Sequence, residues 1–433
     1  MSSASRVSFA KLSQREAMAI TSRHEMLFAG RRGGARASFA FCDLSGIDLS
    51  GRNLSDADFT GAVLEEANFA NARLESASFF GADLRRANMA GATLRRADMR
   101  GASLRGANLT GADLYEADLR EGTITQRDRY GNLHAVQHDV GPSELPEAVL
   151  RSANLERARL TGVIAAQADF TDAVMRGCKL QRANLRAAKL SGVNLEAADL
   201  SGCDLAGADL SGAILVGALL TQTVFDGADM SNTLTDASTG RNLASLPAPI
   251  MDLLERHTLW AETDGRDGSP IDLTEVDLRS LKSLAHRALT ALVAPRGILY
   301  GIDLQGASLQ GSNLSGADLR TVRLTGADLR GANLMGSKLN NSDLRDVKMG
   351  PLLISGDRLL PARLDGAVAR YADFRGADLR RAKVPNADFS YTNLTDCDLR
   401  DVDLSLAITA GAKLARTNSH ADSKPKPYTG RGR

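Results

Sequence analysis

The groups in this 433-residue chain that could carry chemistry are four cysteines, six histidines and a dense series of aspartates. Thiols at metal or redox sites come in close pairs, because one ion or one disulfide must be reached by both. Cys42, Cys178, Cys203 and Cys397 form no such pair. Each stands two residues before a leucine (Leu44, Leu180, Leu205, Leu399), in the slot that alanine holds elsewhere. The position predicts small buried thiols standing in for alanine. His134, His138 and Asp139 have the residue types of a metal site, but the sequence supplies neither a helix or strand to fix their spacing nor a further ligand. His24 lies alone on an apolar helix face and reads as structural. The aspartates recur one place before a leucine, where a carboxylate serves the local turn through backbone hydrogen bonds. Reading pairs of them as acid and base is therefore not warranted. The sequence has no phosphate-cradling glycine loop and no nucleophile beside a placed base. No catalytic, cofactor or metal site is expected, and a binding protein is expected rather than an enzyme.

Residues suited to contact a partner are easier to find. Phe80, Arg100 and Arg120 recur at steps of 20 with Asp98 and Asp118 alongside, and exposed aromatic and arginine side chains are enriched at binding hot spots. A solvated surface whose arginines are neutralised by aspartate is the competing reading. The opposite row, Ser50, Gly51, Ala70, Asn71, Ala90, Gly91, Thr110 and Gly111, is small and uncharged and could pack flat on a protein. Arg127, Arg129 and Tyr130 lie in a segment with turn signals, 125–147, and are further contact candidates.

What must position these residues is a unit of five. Residues 81–120 place Leu or Met at 84, 89, 94, 99, 104, 109, 114 and 119, Ala two places before each, and Asp, Asn, Ser or Thr one place before. A helix needs apolar spacing near 3.6 and a strand needs 2, so a strict period of 5 predicts a repeat architecture. Each pentad would make one short side of a square, four would close a coil, and residues 20 apart would stack. The leucine and the alanine would point into a narrow shaft. This pattern, A-[D/N]-L-x-x, resembles the pentapeptide repeat family. The resemblance implies an all-β solenoid, a right-handed quadrilateral β-helix.

In chain order, residues 1–36 read as a tail and a capping helix. Ser13 and Glu16 make a capping box, Ala17, Ile20, His24, Leu27 and Phe28 share a face, and Gly30 is a left-handed stop. A first repeat block spans 37–124, with centres from Phe39 to Ile124. Residues 125–147 read as an inserted loop, with room for a small hairpin, and the centres resume at Leu150. A second block spans 148–234. Residues 235–296 read as a helical linker or cap with two repeat units at Leu273 and Leu278; its helix contains Ile250, Leu253, Leu254, His257 and Ala261 and ends near Gly265. Residues 23–34 and 256–268 align with about one residue inserted, so an internal duplication and two modules are expected. Residues 280–294 fit either a helix, stopped by Pro295, or degenerate repeats, and the apolar face favours the helix. A third block spans 297–414, with a bulge expected at 349–361, and 415–433 is a basic polar tail.

The chain carries a formal charge of only +1. The first block holds 9 Arg against 13 Asp and Glu, and 297–414 holds 15 Lys and Arg against 14 Asp. The favoured expectation is a cytoplasmic interaction scaffold that binds a protein through its faces or loop. The family implies an alternative, since some members resemble duplex DNA in width and charge and modulate or protect type II topoisomerases such as DNA gyrase. Such mimicry needs a strongly negative surface, which these counts do not give. The basic ends, 1–36 and 415–433, could touch nucleic acid or an anionic membrane, but short charged tails are usually just solvated, so neither is expected as a partner.

Overall fold

The computed structural model describes residues 9–122, 125–127, 133–135, 142–237 and 240–417. The chain divides into two compact units, residues 1–237 and 238–433. In the first, β1 (Ala10–Lys11) pairs in parallel with β2 (Cys42–Asp43), and α1 (Gln14–Phe28) lies between them. Two short antiparallel strands follow, β3 (Thr125–Arg127) and β4 (Leu133–Ala135). The second unit contains α2 (Ile250–Glu262) and a hairpin of β5 (Leu352–Ser355) and β6 (Arg358–Leu360).

Between these elements the backbone is a ladder of single parallel bridges 20 residues apart, as in Ser38 to Asp58 to Ser78 to Asp98 to Asp118. One pentad shows how it is made. Ala57 and Phe59 are fully buried, while Asp58 between them points outward and bridges the coils above and below. The Phe59 carbonyl accepts a hydrogen bond from Ala62 N at 3.0 Å, closing a turn in which Gly61 has φ +61°. Positive φ at the third residue of a four-residue turn identifies it as type II, where glycine is the least strained choice. Asp58 Oδ1 accepts the Thr60 N–H at 3.0 Å and fixes the corner. The polar slot thus serves the turn, as the sequence implies. Stacked centres fill the shaft: Phe39, Phe59 and Phe79 lie parallel with ring centroids 5.0 and 4.8 Å apart. Cys178, Cys203 and Cys397 are buried in alanine slots; each thiol donates to a carbonyl (Leu155, Leu180 and Phe374), and burial pushes all three up, Cys203 and Cys397 to about 12.

The two helices dock by similar contacts. In α1 the Ser13 and Glu16 capping box is formed, and Gly30 N and Arg31 N return to the carbonyls of Leu27 and Met26 in a Schellman motif. His24 is buried, with Nδ1 accepting the Ala37 N–H at 3.0 Å and Nε2 donating to the Ser55 carbonyl at 2.9 Å. In α2, buried His257 accepts the Ile271 N–H on Nδ1 at 3.3 Å, while its Nε2 is buried without a hydrogen-bond partner among the described residues, unlike that of His24. Ala35 N donates to the Arg23 carbonyl and Ser269 N to that of Arg256. One expectation holds only in part. Phe28 packs against His24 with ring centroids 5.0 Å apart, but Leu27 and Phe28 both stay 47 % exposed; Ala17, Thr21 and His24 are the buried residues of α1, and Met18 and Ile20 pack partly buried on the coil beside them.

Three further expectations are corrected. Residues 280–294 form repeats, not a helix: Ser283, Ala288 and Val293 bridge to Asp303, Ser308 and Asn313. Burying Leu284, Leu289 and Ala294 on the next coil outweighs helix propensity. Pro295, the supposed helix stop, is the second residue of a corner turn. A 3-10 turn at Arg279–Leu281 absorbs the extra residue between the centres Leu278 and Leu284. Repeats resume at Leu145, not Leu150: Glu144 bridges Ser103 and Ile164, and Ser143 takes the alanine slot. Its hydroxyl, at 3.1 and 3.0 Å from the carbonyls of Met99 and Arg120, pins the returning chain to the coil it left. The segment 349–361 is a hairpin, not a bulge, and Asn333 bridges Arg363 across it. Leu352 and Leu360 fold down over Gly331, where a Cβ would come within 2.8 Å of Leu352 Cβ.

Candidate interaction surface

Only the residue before each centre faces outward from a flat side; the two after it form a corner. Phe80, Arg100 and Arg120 are each the first corner residue of their pentads, so they line one edge of the coil, and the small row from Ser50 to Gly111 lines the opposite edge. Both rows were expected on faces; the turn geometry moves them to corners. The structure does bring the first three together. Arg100 Cζ sits 5.0 Å from the Phe80 ring centroid, within cation–π range. All three are half-buried, and a Cβ on Gly122 would come within 2.8 Å of Phe80 Cε2, so the chain leaving this corner lies against the ring. Arg127 is in β3, so its backbone is placed beyond this corner; Arg129 and Tyr130 lie outside the described residues, as do His138 and Asp139.

The arginines here are not free cations. Arg100 takes Asp98 with Nε at 2.8 Å and Nη2 at 2.7 Å, while Asp98 Oδ1 also accepts the Arg100 backbone N–H at 3.2 Å. Arg120 and Asp118 repeat this geometry. The clip recurs in Asp83 with Arg85, Asp277 with Arg279, Asp318 with Arg320, Asp328 with Arg330, Asp343 with Arg345, Asp373 with Arg375, Asp378 with Arg380 and Asp398 with Arg400. Burial pushes the Asp118 carboxyl up, but its hydrogen bonds and the Arg120 charge outweigh this and hold it below the ordinary range. Hydrogen bonding to Asp98 raises Arg100. Sequence reasoning saw arginine beside aspartate at this corner but not the general device; the signal was the recurring Asp-x-Arg triplet. On another side Asn68, Asn88 and Asn108 pass amide hydrogen bonds down the stack to Asp48. Beside the Phe80 corner lies a groove of about 390 Å³ with Gly81 and Gly101 in its floor, and Asp83, Arg85, Arg105 and Glu144 on its walls. Sequence reasoning missed it, because it depends on the return of the chain at Pro142.

The chain belongs to the pentapeptide repeat family. Pentapeptide repeats match residues 42–81, 82–121, 168–207, 178–215, 203–233, 302–346, 362–384 and 386–418, together more than half of it. Proteins of this family fold as right-handed quadrilateral β-helices. Among solved structures it is similar to the pentapeptide repeat protein Rfr23 from the cyanobacterium Cyanothece 51142, at 30 % identity over 31 % of this chain and 91 % of that one, with a TM-score of 0.27. HetL, a pentapeptide repeat protein involved in heterocyst differentiation regulation in the cyanobacterium Nostoc, matches at 24 % identity over 75 % of this chain and 93 % of its own, with a TM-score of 0.19. Full-length QnrB1, a plasmid-mediated fluoroquinolone resistance protein, matches at 13 % identity over 86 % and 92 %, with a TM-score of 0.19. No curated protein sequence matches the chain.

Proposed function

We propose that this protein is a non-enzymatic scaffold that binds a protein partner through the Phe80, Arg100 and Arg120 corner and the groove beside it. The observation that carries the reading is where the polar groups go. The carboxylates that could do chemistry are consumed in corner turns and in ten arginine clips, leaving shape, glycine floor and a partly covered aromatic as the features a partner would meet. In this reading the protein is cytoplasmic and consists of two β-helical modules, with α1 and α2 closing the first coil of each against edge-to-edge pairing. The same clips weigh against the family's alternative, because a DNA-like field needs unpaired acid.

The test is affinity capture from cell extract with the full chain, an Arg100→Glu variant, and a variant with residues 125–141 replaced by a Gly-Ser link. The link must stop before Ser143, which pins the coil. A partner retained in fixed stoichiometry, competed by free chain and weakened at least tenfold (about 1.4 kcal/mol) by Arg100→Glu supports the reading. A chain that retains nothing saturably contradicts it. Selective retention of topoisomerase subunits, with inhibition in a supercoiling assay, would favour the alternative.

A further inference from the structure

The groove beside the Phe80 corner already holds a piece of this chain at one end. Phe9, half-buried and the residue that leads into β1, lines it together with the floor of Gly61, Gly81 and Gly101, so the chain comes to β1 from the groove side. Gly61, in the coil after the one that carries β2, is buried, whereas Gly51, Gly91 and Gly111 on the opposite edge are exposed. The charges on the walls are nearly all matched. Arg85 is held by Asp83 at 2.6 Å and Arg105 lies 3.9 Å from Glu147, which leaves the exposed Glu144 with no ion pair among the described residues. Residues 1–8 read Met-Ser-Ser-Ala-Ser-Arg-Val-Ser, a slim stretch of mostly small side chains in which Arg6 is the one charged residue.

We propose that residues 1–8 of this chain occupy the groove, running back along it from Phe9 with their small side chains on the glycine floor and Arg6 paired with Glu144. The spacing fits. An extended chain advances ~3.3 Å per residue and the coils stack ~4.8 Å apart, so Arg6 stands about two coils beyond Phe9. Val63, Asp83, Ser103 and Glu144 bridge in turn and so mark successive coils. Two coils on from Val63 is Ser103, and the arginine side chain spans the remaining step to Glu144. The segment is thus a strap across the surface assigned above to a protein partner, which must displace it to bind. That last consequence rests on the scaffold reading; the docking of the strap does not.

The test reads the docking without any partner. In the full chain carrying Cys42→Ala and Ser103→Cys, the thiol placed in the groove is the reactive one, because the other three cysteines are buried. Its alkylation by N-ethylmaleimide should speed up about tenfold or more when residues 1–8 are deleted, the factor for a segment held by roughly 1.4 kcal/mol. Arg6→Glu or Glu144→Arg alone should speed it roughly two- to fivefold, the scale of one surface ion pair, and the two together should restore protection. A thiol on the opposite edge, from Thr110→Cys, should react at one rate in all these forms. A rate at position 103 unchanged by the deletion would overturn the docking, and a double exchange that fails to restore protection would overturn the pairing of Arg6 with Glu144. In the capture experiment, a partner held more tightly by the chain lacking residues 1–8 supports the strap as a gate. A partner held equally by both forms overturns the gate and leaves the scaffold reading standing. If nothing is captured, the scaffold reading fails and the alkylation rates still decide the docking.

Discussion

Asp98 does two jobs, and they can be separated. Its Oδ1 accepts the Arg100 backbone N–H, which makes the turn, and both oxygens hold the Arg100 guanidinium, which neutralises the surface. The ion pair is partly exposed and contributes little, while loss of a turn acceptor costs about 1 kcal/mol. Asp98→Asn, which keeps the acceptor, should therefore shift the thermal midpoint only slightly, and Asp98→Ala should lower stability by about 1 kcal/mol. Equal losses in the two variants would show that the charge, not the turn, is what matters. Glycine at the helix junctions is under tighter control. Gly268 has φ +79°, and a Cβ there would fall on the Arg256 carbonyl oxygen and 2.7 Å from Trp260 N. Gly268→Ala should loosen α2 by at least 1–3 kcal/mol, the range for a strained backbone position, seen as faster hydrogen exchange confined to that helix.

Each helix is tied to its coil by a histidine that works only when neutral. His24 and His257 both accept a backbone N–H on Nδ1, and burial lowers both below the ordinary histidine value. For His24 the nearby Asp56 and Glu25 raise it and Arg36 lowers it; no charged side chain figures for His257. A base whose value falls on folding binds more protons when unfolded, so its contribution is complete above about pH 6.5 and is lost as pH falls through that value. Each junction should weaken by up to ~1.4 kcal/mol per pH unit below that point. Trp260, the single tryptophan, has its ring centroid 5.6 Å from that of His257 and reports this directly. Its emission should change between pH 7.5 and 5 and should not do so in His257→Gln (about one unit either side of the ordinary histidine value). An emission that is flat with pH, or that changes equally in the variant, would refute the assignment.

The helix boundaries at Ser13 and near Gly265 were legible because capping chemistry is local. Residues 280–294 were not, because Leu284 and Leu289 satisfy a step of five while Leu281, Leu284, Ala288 and Leu292 satisfy helical spacing, and the added residue at 279–281 breaks the phase. Only the facing coil decides between them. The restart at Leu145 was hidden for a related reason: Ser143 fills an alanine slot, and its reason for being there is a pair of carbonyls far away in sequence.

At the scale of the whole molecule, the repeat was readable from its leucines and alanines, since a shaft one side chain wide leaves little choice. What binds to it was not readable, because the outward residues are selected first for turns, clips and amide ladders. Each unit has its own buried core, from Ala17 to Leu215 in the first and from Leu254 to Leu399 in the second. These shafts carry the structure and leave the surface for contacts. Ala97 is fully buried in the first of them, in the slot beside a centre. Hydrogen exchange of the full chain carrying Ala97→Trp tests this most directly. Overpacking costs about 1–3 kcal/mol or more, so amides of the coils around residue 97 should lose protection while those of residues 299–399 keep theirs. Unchanged protection around residue 97 would mean that alanine does not face inward, and the account would fall with it.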